Sequence, residues 1–177
     1  FVWNAVTNVE FATALRQSGL PIGRPGPFDF SRLDAAAGGQ AAAGVGFGDV
    51  VRERALVGAV LLDRYNGRHY LRARNICSAL AEEFHDALEG HDALIAPTMP
   101  AVAPKIGEHK PHSYDSDDDI DIPLAYNTRP ANLAGIPAVT VPDGAGGLPV
   151  GVQFIGGRYE DAHLLRVARS FELVRDS

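Results

Sequence analysis

The strongest constraint on what this chain can fold into lies between Ile136 and Ile155. Two apolar, β-branched runs, Ile136 to Val141 and Val150 to Ile155, are separated by Asp143-Gly-Ala-Gly-Gly147. A connection that short and that rich in glycine predicts a hairpin-like pair of strands. A third run, Ala93 to Ala96 ahead of Pro97, reads as another buried strand. Buried strands need both faces covered. Three strands are thin for 177 residues, and such a sheet leaves an open edge that invites further pairing. The sheet is expected to take partners from elsewhere.

The remaining apolar pattern is helical. Val2 to Arg16 carries Trp3, Val6, Val9, Thr13 and Ala14 at helical spacing, and Ser18-Gly-Leu-Pro21 stops it. Asp49 to Leu62 is predicted as a second helix, with an acid in its first turn. Arg64 to Leu88 is a third, striped by Tyr70, Ala73, Cys77, Leu80, Phe84 and Leu88, with Gly90 closing it. A helical turn is expected near Pro130 to Ala134, and Glu160 to Val174 forms the last helix. The expected layout is a helix over 1–18, a Gly/Pro/Ala-rich loop over 19–46, helices over 47–90, and strands, a loop and a final helix over 91–177. The fold class that follows is α/β.

Composition narrows the function. A net charge of −6, with acids gathered in Asp115-Ser-Asp-Asp-Asp-Ile-Asp121, disfavours nucleic acid, which needs clustered Lys and Arg. No apolar run is long enough to span a membrane. The chain starts at Phe1 without a basic n-region, so a processed or truncated product is expected rather than a secretory signal. A lone cysteine, Cys77, makes no internal disulfide, which fits a reducing cytoplasm.

Several blocks resemble one known family in both order and spacing. They are Phe47-Gly-Asp-Val-Val-Arg-Glu-Arg54, Tyr70 to Arg74, Asp92 to Pro100, Ile106-Gly-Glu108, Asn132-Leu-Ala-Gly-Ile-Pro137 and Gly147-Leu-Pro-Val-Gly-Val-Gln-Phe-Ile-Gly156. Together they are similar to the C-terminal part of the amidase signature hydrolases, a family related to the A subunit of glutamyl-tRNA(Gln) amidotransferase. The resemblance implies the C-terminal portion of the amidase signature fold, with helices packed on part of a mixed β-sheet. It also implies acyl transfer by a Ser, a cis-Ser and a Lys acting as base. Ser18, Ser31, Ser78, Ser113, Ser116, Ser170 and Ser177 lie in no Gly/Ser-rich motif of that kind, and the lysines Lys105 and Lys110 do not match the family's base. No catalytic residue is therefore assigned, and the chain alone is expected to be inactive.

What the resemblance assigns instead is substrate binding. Arg54 matches an arginine that holds the substrate carboxylate in the glutamine-using branch, and a guanidinium suits that bidentate task. Asn132, in Asn-Leu-Ala-Gly, is the second assigned residue. The same branch places an Asp seven residues before that Asn, where this chain has Ala125. That departure favours a general amidase of small carboxamides over a component of a tRNA-dependent amidotransferase. The implied partner is the N-terminal half of the amidase domain. A non-catalytic scaffold or binding subunit that completes a separate N-terminal half is the alternative, and the open sheet edge allows a homodimer. No cofactor or metal is implied.

Competing readings of single residues are plainer. Cys77 with His85 or His69 could form a nucleophile pair, but a free Cys on an apolar stripe behaves as a small hydrophobe. His109 and His112 beside the acidic run could hold a metal, though such a run is ordinarily solvated. Trp3, Phe11, Phe28 and Phe30 could form an aromatic lid, with core packing the simpler expectation. Gly144 to Gly147 lacks the following Lys-Ser/Thr of a phosphate loop and reads as a turn.

Overall fold

A computed structural model describes residues 1–16, 29, 31–32, 34–35, 38–39, 47–103, 105, 125–144 and 147–176. The chain divides into two units, residues 1–76 and 77–177. The loop expected over 19–46, Ile106-Gly-Glu108 and the acidic run fall largely or wholly outside the described residues. Among the described residues, no helix is long and apolar enough to cross a membrane.

The first unit is built on α1 (Val2–Arg16) and α2 (Asp49–Tyr65), which pack against each other. The buried face of α1 is Ala5, Val6, Val9 and Ala12. This differs from the expected stripe: Trp3 and Thr13 are half-buried and Ala14 is exposed. The reason is how closely the helices approach. Gly58 is the one buried residue of α2, and a Cβ there would run into the Asn8 carbonyl and come within 2.6 Å of the Ala12 Cβ. Small residues on both helices make that crossing feasible, and larger side chains are displaced to its margins.

An ion pair fastens the far end of the same crossing. Arg16 donates to both carboxylate oxygens of Asp63, at 3.3 and 2.9 Å. The hydrogen bond and the guanidinium charge hold the Asp63 carboxyl below its usual range.

The second helix ends later than the sequence predicted. Asn66 and Gly67 both adopt positive φ, and their amides reach back to the Leu61 carbonyl, so the helix runs through Tyr65 before breaking. The next helix, α3 (Arg68–Leu88), buries Ala73 and Cys77 on the expected stripe, with Glu82 and Glu83 exposed.

The second unit contains the sheet. Strands β1 (Leu94–Pro97), β2 (Ala138–Pro142) and β3 (Gly151–Ile155) lie in the order β1-β3-β2, and both pairings are antiparallel. A short helix, α4 (Arg129–Ala134), precedes β2, and α5 (Asp161–Arg175) follows β3. Helix α5 lies over β2 and β3. Val141, Phe154, Leu164 and Ala168 form the core there, with Val139, Val152, Val167 and Phe171 packed around them. The rings of Phe154 and Phe171 sit 5.3 Å apart in a tilted arrangement. Each large side chain buried this way contributes about 1.5–3 kcal/mol. The α/β class expected from the sequence is the one observed.

Two predictions test the first unit. Gly58→Ala should force α1 and α2 apart and cost about 1–3 kcal/mol, the usual range for overpacking; urea unfolding followed by circular dichroism measures it. The depressed Asp63 carboxyl contributes stability above the unfolded value near pH 3.9, lost as pH falls through the lower folded value. In thermal melts across the acid range, Asp63→Asn should flatten that part of the pH dependence. An unchanged profile would remove the ion pair from the account.

Candidate functional site

The sheet of the second unit has two unlike faces. Side chains at Val152 and Phe154 point to α5, and those at Gln153 and Ile155 point to the opposite side. On that opposite side, polar groups collect around the middle of β3. Gln153 is only 2% exposed, and its Nε2 donates to the Asn127 carbonyl at 3.2 Å. Asn127 in turn donates from Nδ2 to the Pro97 carbonyl at 2.8 Å. Together these two bonds tie the segment before α4 to both β3 and β1.

Thr98 and Thr140 join over Gly151, their hydroxyls 3.1 Å apart. A Cβ at Gly151 would come within 2.7 Å of both threonines, so glycine is what lets that bridge form.

Asn132, assigned to substrate binding, sits exposed on α4 beside this cluster in sequence. Its Nδ2 donates to the Thr128 carbonyl at 2.7 Å, one helical turn back. Thr128 donates from Oγ1 to the Ala125 carbonyl at 3.1 Å. The side chain of Asn132 thus steadies the start of α4 while its Oδ1 accepts no bond among the described residues. Ala125 contributes only its carbonyl to this arrangement.

Arg54 belongs to the first unit. It is exposed on α2 and forms no ion pair with a described residue, whereas its neighbour Arg52 pairs with Asp49 at 2.6 Å. The surroundings of Arg54 are partly apolar. Val50, one turn before it, is 63% exposed, and Val57, one turn after, is 37% exposed. Leu56 and Val60 are exposed next to them. Glu53, also exposed, lies one helical turn from Val50, Leu56 and Val57, so this face carries charge as well as aliphatic side chains.

Ser31 and Ser170 are held by local partners, and Ser18, Ser113, Ser116 and Ser177 lie outside the described residues. Ser31 donates to Asp29 at 2.6 Å, and this bond with the Arg32 amide holds the Asp29 carboxyl below its usual range. A carboxylate that acidic is a poor proton acceptor at neutral pH. Ser170 donates to the Arg166 carbonyl of its own helix. Cys77 is buried, and His69 and His85 lie eight residues either side of it, roughly 12 Å along a helix and beyond hydrogen-bond reach. His69 instead meets the rings of Tyr65 and Phe1 edge-on. Trp3 and Phe11 are half-buried on α1, and Phe28 and Phe30 lie outside the described residues. So do His109, His112 and residues 115–121, and among the described residues no group of metal-binding side chains assembles.

The sequence singled out Arg54 and Asn132 but passed over Asn127, Thr98, Thr140 and Gln153. Gln153 left a signal, a polar residue in the middle of an otherwise apolar strand. Asn127 left none, because its partners at Pro97 and Gln153 lie far from it in sequence.

With the geometry in view, comparison with known proteins gives a consistent result. Residues 31–165 match the family model described as Amidase. The chain is 40% identical over 135 residues to the A subunit of glutamyl-tRNA(Gln) amidotransferase from Thermotoga maritima, covering 72% of this chain. It is 36% identical over 160 residues to the protein of that name from Halobacterium salinarum, covering 89% of this chain and 36% of that one. It spans about a quarter (26%) of the length of the Thermotoga relative. In structure it resembles the peptide amidase of Stenotrophomonas maltophilia, with a TM-score of 0.59 and 28% identity, over 98% of this chain and 33% of that one.

Replacing Gln153 by Leu keeps the volume but leaves the Asn127 carbonyl without its donor. The expected loss is about 1–3 kcal/mol in urea unfolding. A neutral result would mean water already serves that carbonyl.

Proposed function

This chain belongs to the amidase signature family, and from that premise we propose that it supplies the C-terminal, substrate-facing wall of an amidase acting on small carboxamides. The observation that carries the proposal is a division of labour. The family match runs through most of the chain, yet Ser31 and Ser170 donate to local acceptors rather than to a competent base. The groups that remain are suited to recognition: neutral amides and hydroxyls on the sheet, and the exposed guanidinium of Arg54.

In this reading the N-terminal half of the amidase domain completes the enzyme and brings the nucleophile and base. Arg54 holds a substrate carboxylate through paired N–H donors. Asn132 offers Oδ1 as an acceptor for the substrate's amide or amino N–H. The product is the acid, with ammonia or an amine released. The chain alone is inactive, and no cofactor takes part. A reducing cytoplasm suits the single buried Cys77.

A second reading follows from the relatives' names, which are those of tRNA-dependent amidotransferase components. Against it stands Ala125, which has no carboxylate to receive the amino group of glutamine.

The test is ammonia release from a panel of carboxamides that includes glutamine. The purified chain should give none, and turnover should appear when the complementary half of the domain is supplied. Arg54→Ala in that assembly should raise KM about tenfold or more for amides bearing a carboxylate, with kcat less affected, and spare neutral amides. Turnover by the chain alone would overturn the proposal, and a preference for glutamine would favour the second reading.

A further inference from the structure

Of the asparagines in the chain, only Asn66 is followed by a glycine. A backbone nitrogen can attack the carboxamide carbon of the asparagine before it and close a cyclic imide. A side chain on the attacking residue hinders that approach, and glycine has none. The space around Gly67 is open as well. A Cβ built there would meet a Leu62 methyl at 4.0 Å and nothing nearer.

Asn66 and Gly67 form the break between α2 and α3. Asn66 is exposed, with φ 50° and ψ 36°, and Gly67 follows at φ 68°. Their two amides share one acceptor, the Leu61 carbonyl, and the Gly67 bond to it is long at 3.3 Å. Ring closure needs two changes. The Asn66 ψ must rotate to bring Cγ onto the Gly67 nitrogen, and that nitrogen must release its bond to Leu61. One event supplies both, the opening of the α2 cap, and helix ends open locally while the body of the helix stays closed.

An aspartate before glycine can close the same ring, and Asp143-Gly144 is the one such pair. There the junction is guarded. The Asp143 amide is bonded to the Val150 carbonyl at 3.0 Å. Arg175 lays its stem against Gly144, where a Cβ would come within 2.7 Å of it, and sets its charge near the Asp143 carboxylate. An ionised carboxylate resists attack by an amide nitrogen, and the packed stem opposes rotation.

We infer that Asn66 is a spontaneous modification site, where the Gly67 nitrogen attacks the Asn66 Cγ when the α2 cap opens and converts the junction to isoaspartate. Hydroxide takes the Gly67 N–H proton as the N–Cγ bond forms. The Cγ–Nδ2 bond breaks, and Nδ2 takes up a proton and leaves as ammonia. Water then opens the imide. Cleavage of the new N–Cγ bond gives aspartate on the original backbone. Cleavage at the Asn66 main-chain carbonyl gives isoaspartate, with the main chain routed through Cβ and Cγ. Nothing is oxidised or reduced, and either product carries one new negative charge. The chemistry needs only this chain and water.

The isoaspartyl linkage inserts an extra carbon between the two amides that share the Leu61 carbonyl, so both can no longer reach it. The last turn of α2 then loses its cap. That turn holds Asp63, the partner of Arg16, and Tyr65, whose ring meets His69 across the break at 4.8 Å.

The test ages the purified chain in mildly acidic and mildly alkaline buffer. It reads conversion by peptide mapping with mass spectrometry and by isoaspartyl methyltransferase labelling. Isoaspartate should collect at residue 66, faster in the alkaline buffer, and exceed conversion at any other asparagine about tenfold or more. In native-state hydrogen exchange the Gly67 amide should exchange faster than those of Val60 and Leu61 in the body of α2. The aged chain should melt at a lower temperature. Asn66→Gly keeps a residue suited to left-handed backbone, so it should abolish the label and hold its melting temperature through the same ageing.

An Asn66 that stays intact in alkaline buffer, or isoaspartate at Asp143 in preference to it, would overturn the site. A Gly67 amide as protected as those of Val60 and Leu61 would overturn the opening step. Full conversion with an unchanged melting temperature would overturn the loss of the cap.

Discussion

Alternation along β3 governs the whole second unit. Even-numbered residues of this strand bond to β2 and turn their side chains to α5, and odd-numbered residues bond to β1 and turn theirs to the Asn127 segment. Ladder partner and sheet face are therefore fixed together. A slip of one residue would drive Gln153 into the cluster of Val141, Phe154 and Leu164, and put Phe154 where Asn127 needs a donor. Both errors are costly, one by burying an unpaired amide and the other by exposing an aromatic ring. The register is specified from both sides of the sheet at once, which is a strong constraint for a strand of five residues.

The first unit is held by a different device. Its helices meet where side chains are nearly absent, at Gly58, Asn8 and Ala12, so contact is made by backbone and methyl groups. Close approach gives many short contacts without large side chains, and it frees the opposite side of α2 from any duty to the α1 interface. On that opposite side stand the exposed Glu53, Leu56, Val57 and Val60, while Arg54, four residues before Gly58, lies nearer the α1 side.

Much of this was legible in the residues. The three strands, the hairpin-like pair and the stripe of α3 followed from periodicity, because large apolar side chains carry the signal there. The break between α2 and α3 was visible only approximately, since Asn66 and Gly67 are residues that tolerate left-handed backbone but do not say which takes it first. The buried face of α1 was half legible: Val6 and Val9 carry it as expected, while Ala5 and Ala12 were passed over for a physical reason. Hydrophobic weighting favours Trp3 over Ala5 and Ala12, whereas a close crossing selects for the smallest groups. The polar cluster was mostly invisible because it is made by contacts across sequence: Asn127 reaches Pro97 and Gln153 reaches Asn127, and neither pairing leaves a spacing to read.

In the proposed reading, the chemistry of these surfaces lets recognition and catalysis be divided between two parts of one fold. Amides and hydroxyls locked to backbone carbonyls have one orientation each and no proton to give up near neutral pH. Such groups can hold an uncharged carboxamide without competing for the protons that acyl transfer moves. A base placed among them would be solvated differently in each part until the parts closed. Keeping the proton-transfer groups together elsewhere makes the active state depend on closure, and the wall contributes by position alone. For that role the wall must be rigid before the substrate arrives, and the bonds from Gln153 through Asn127 to Pro97 supply that rigidity: they brace the segment that carries Asn132 against two strands at once.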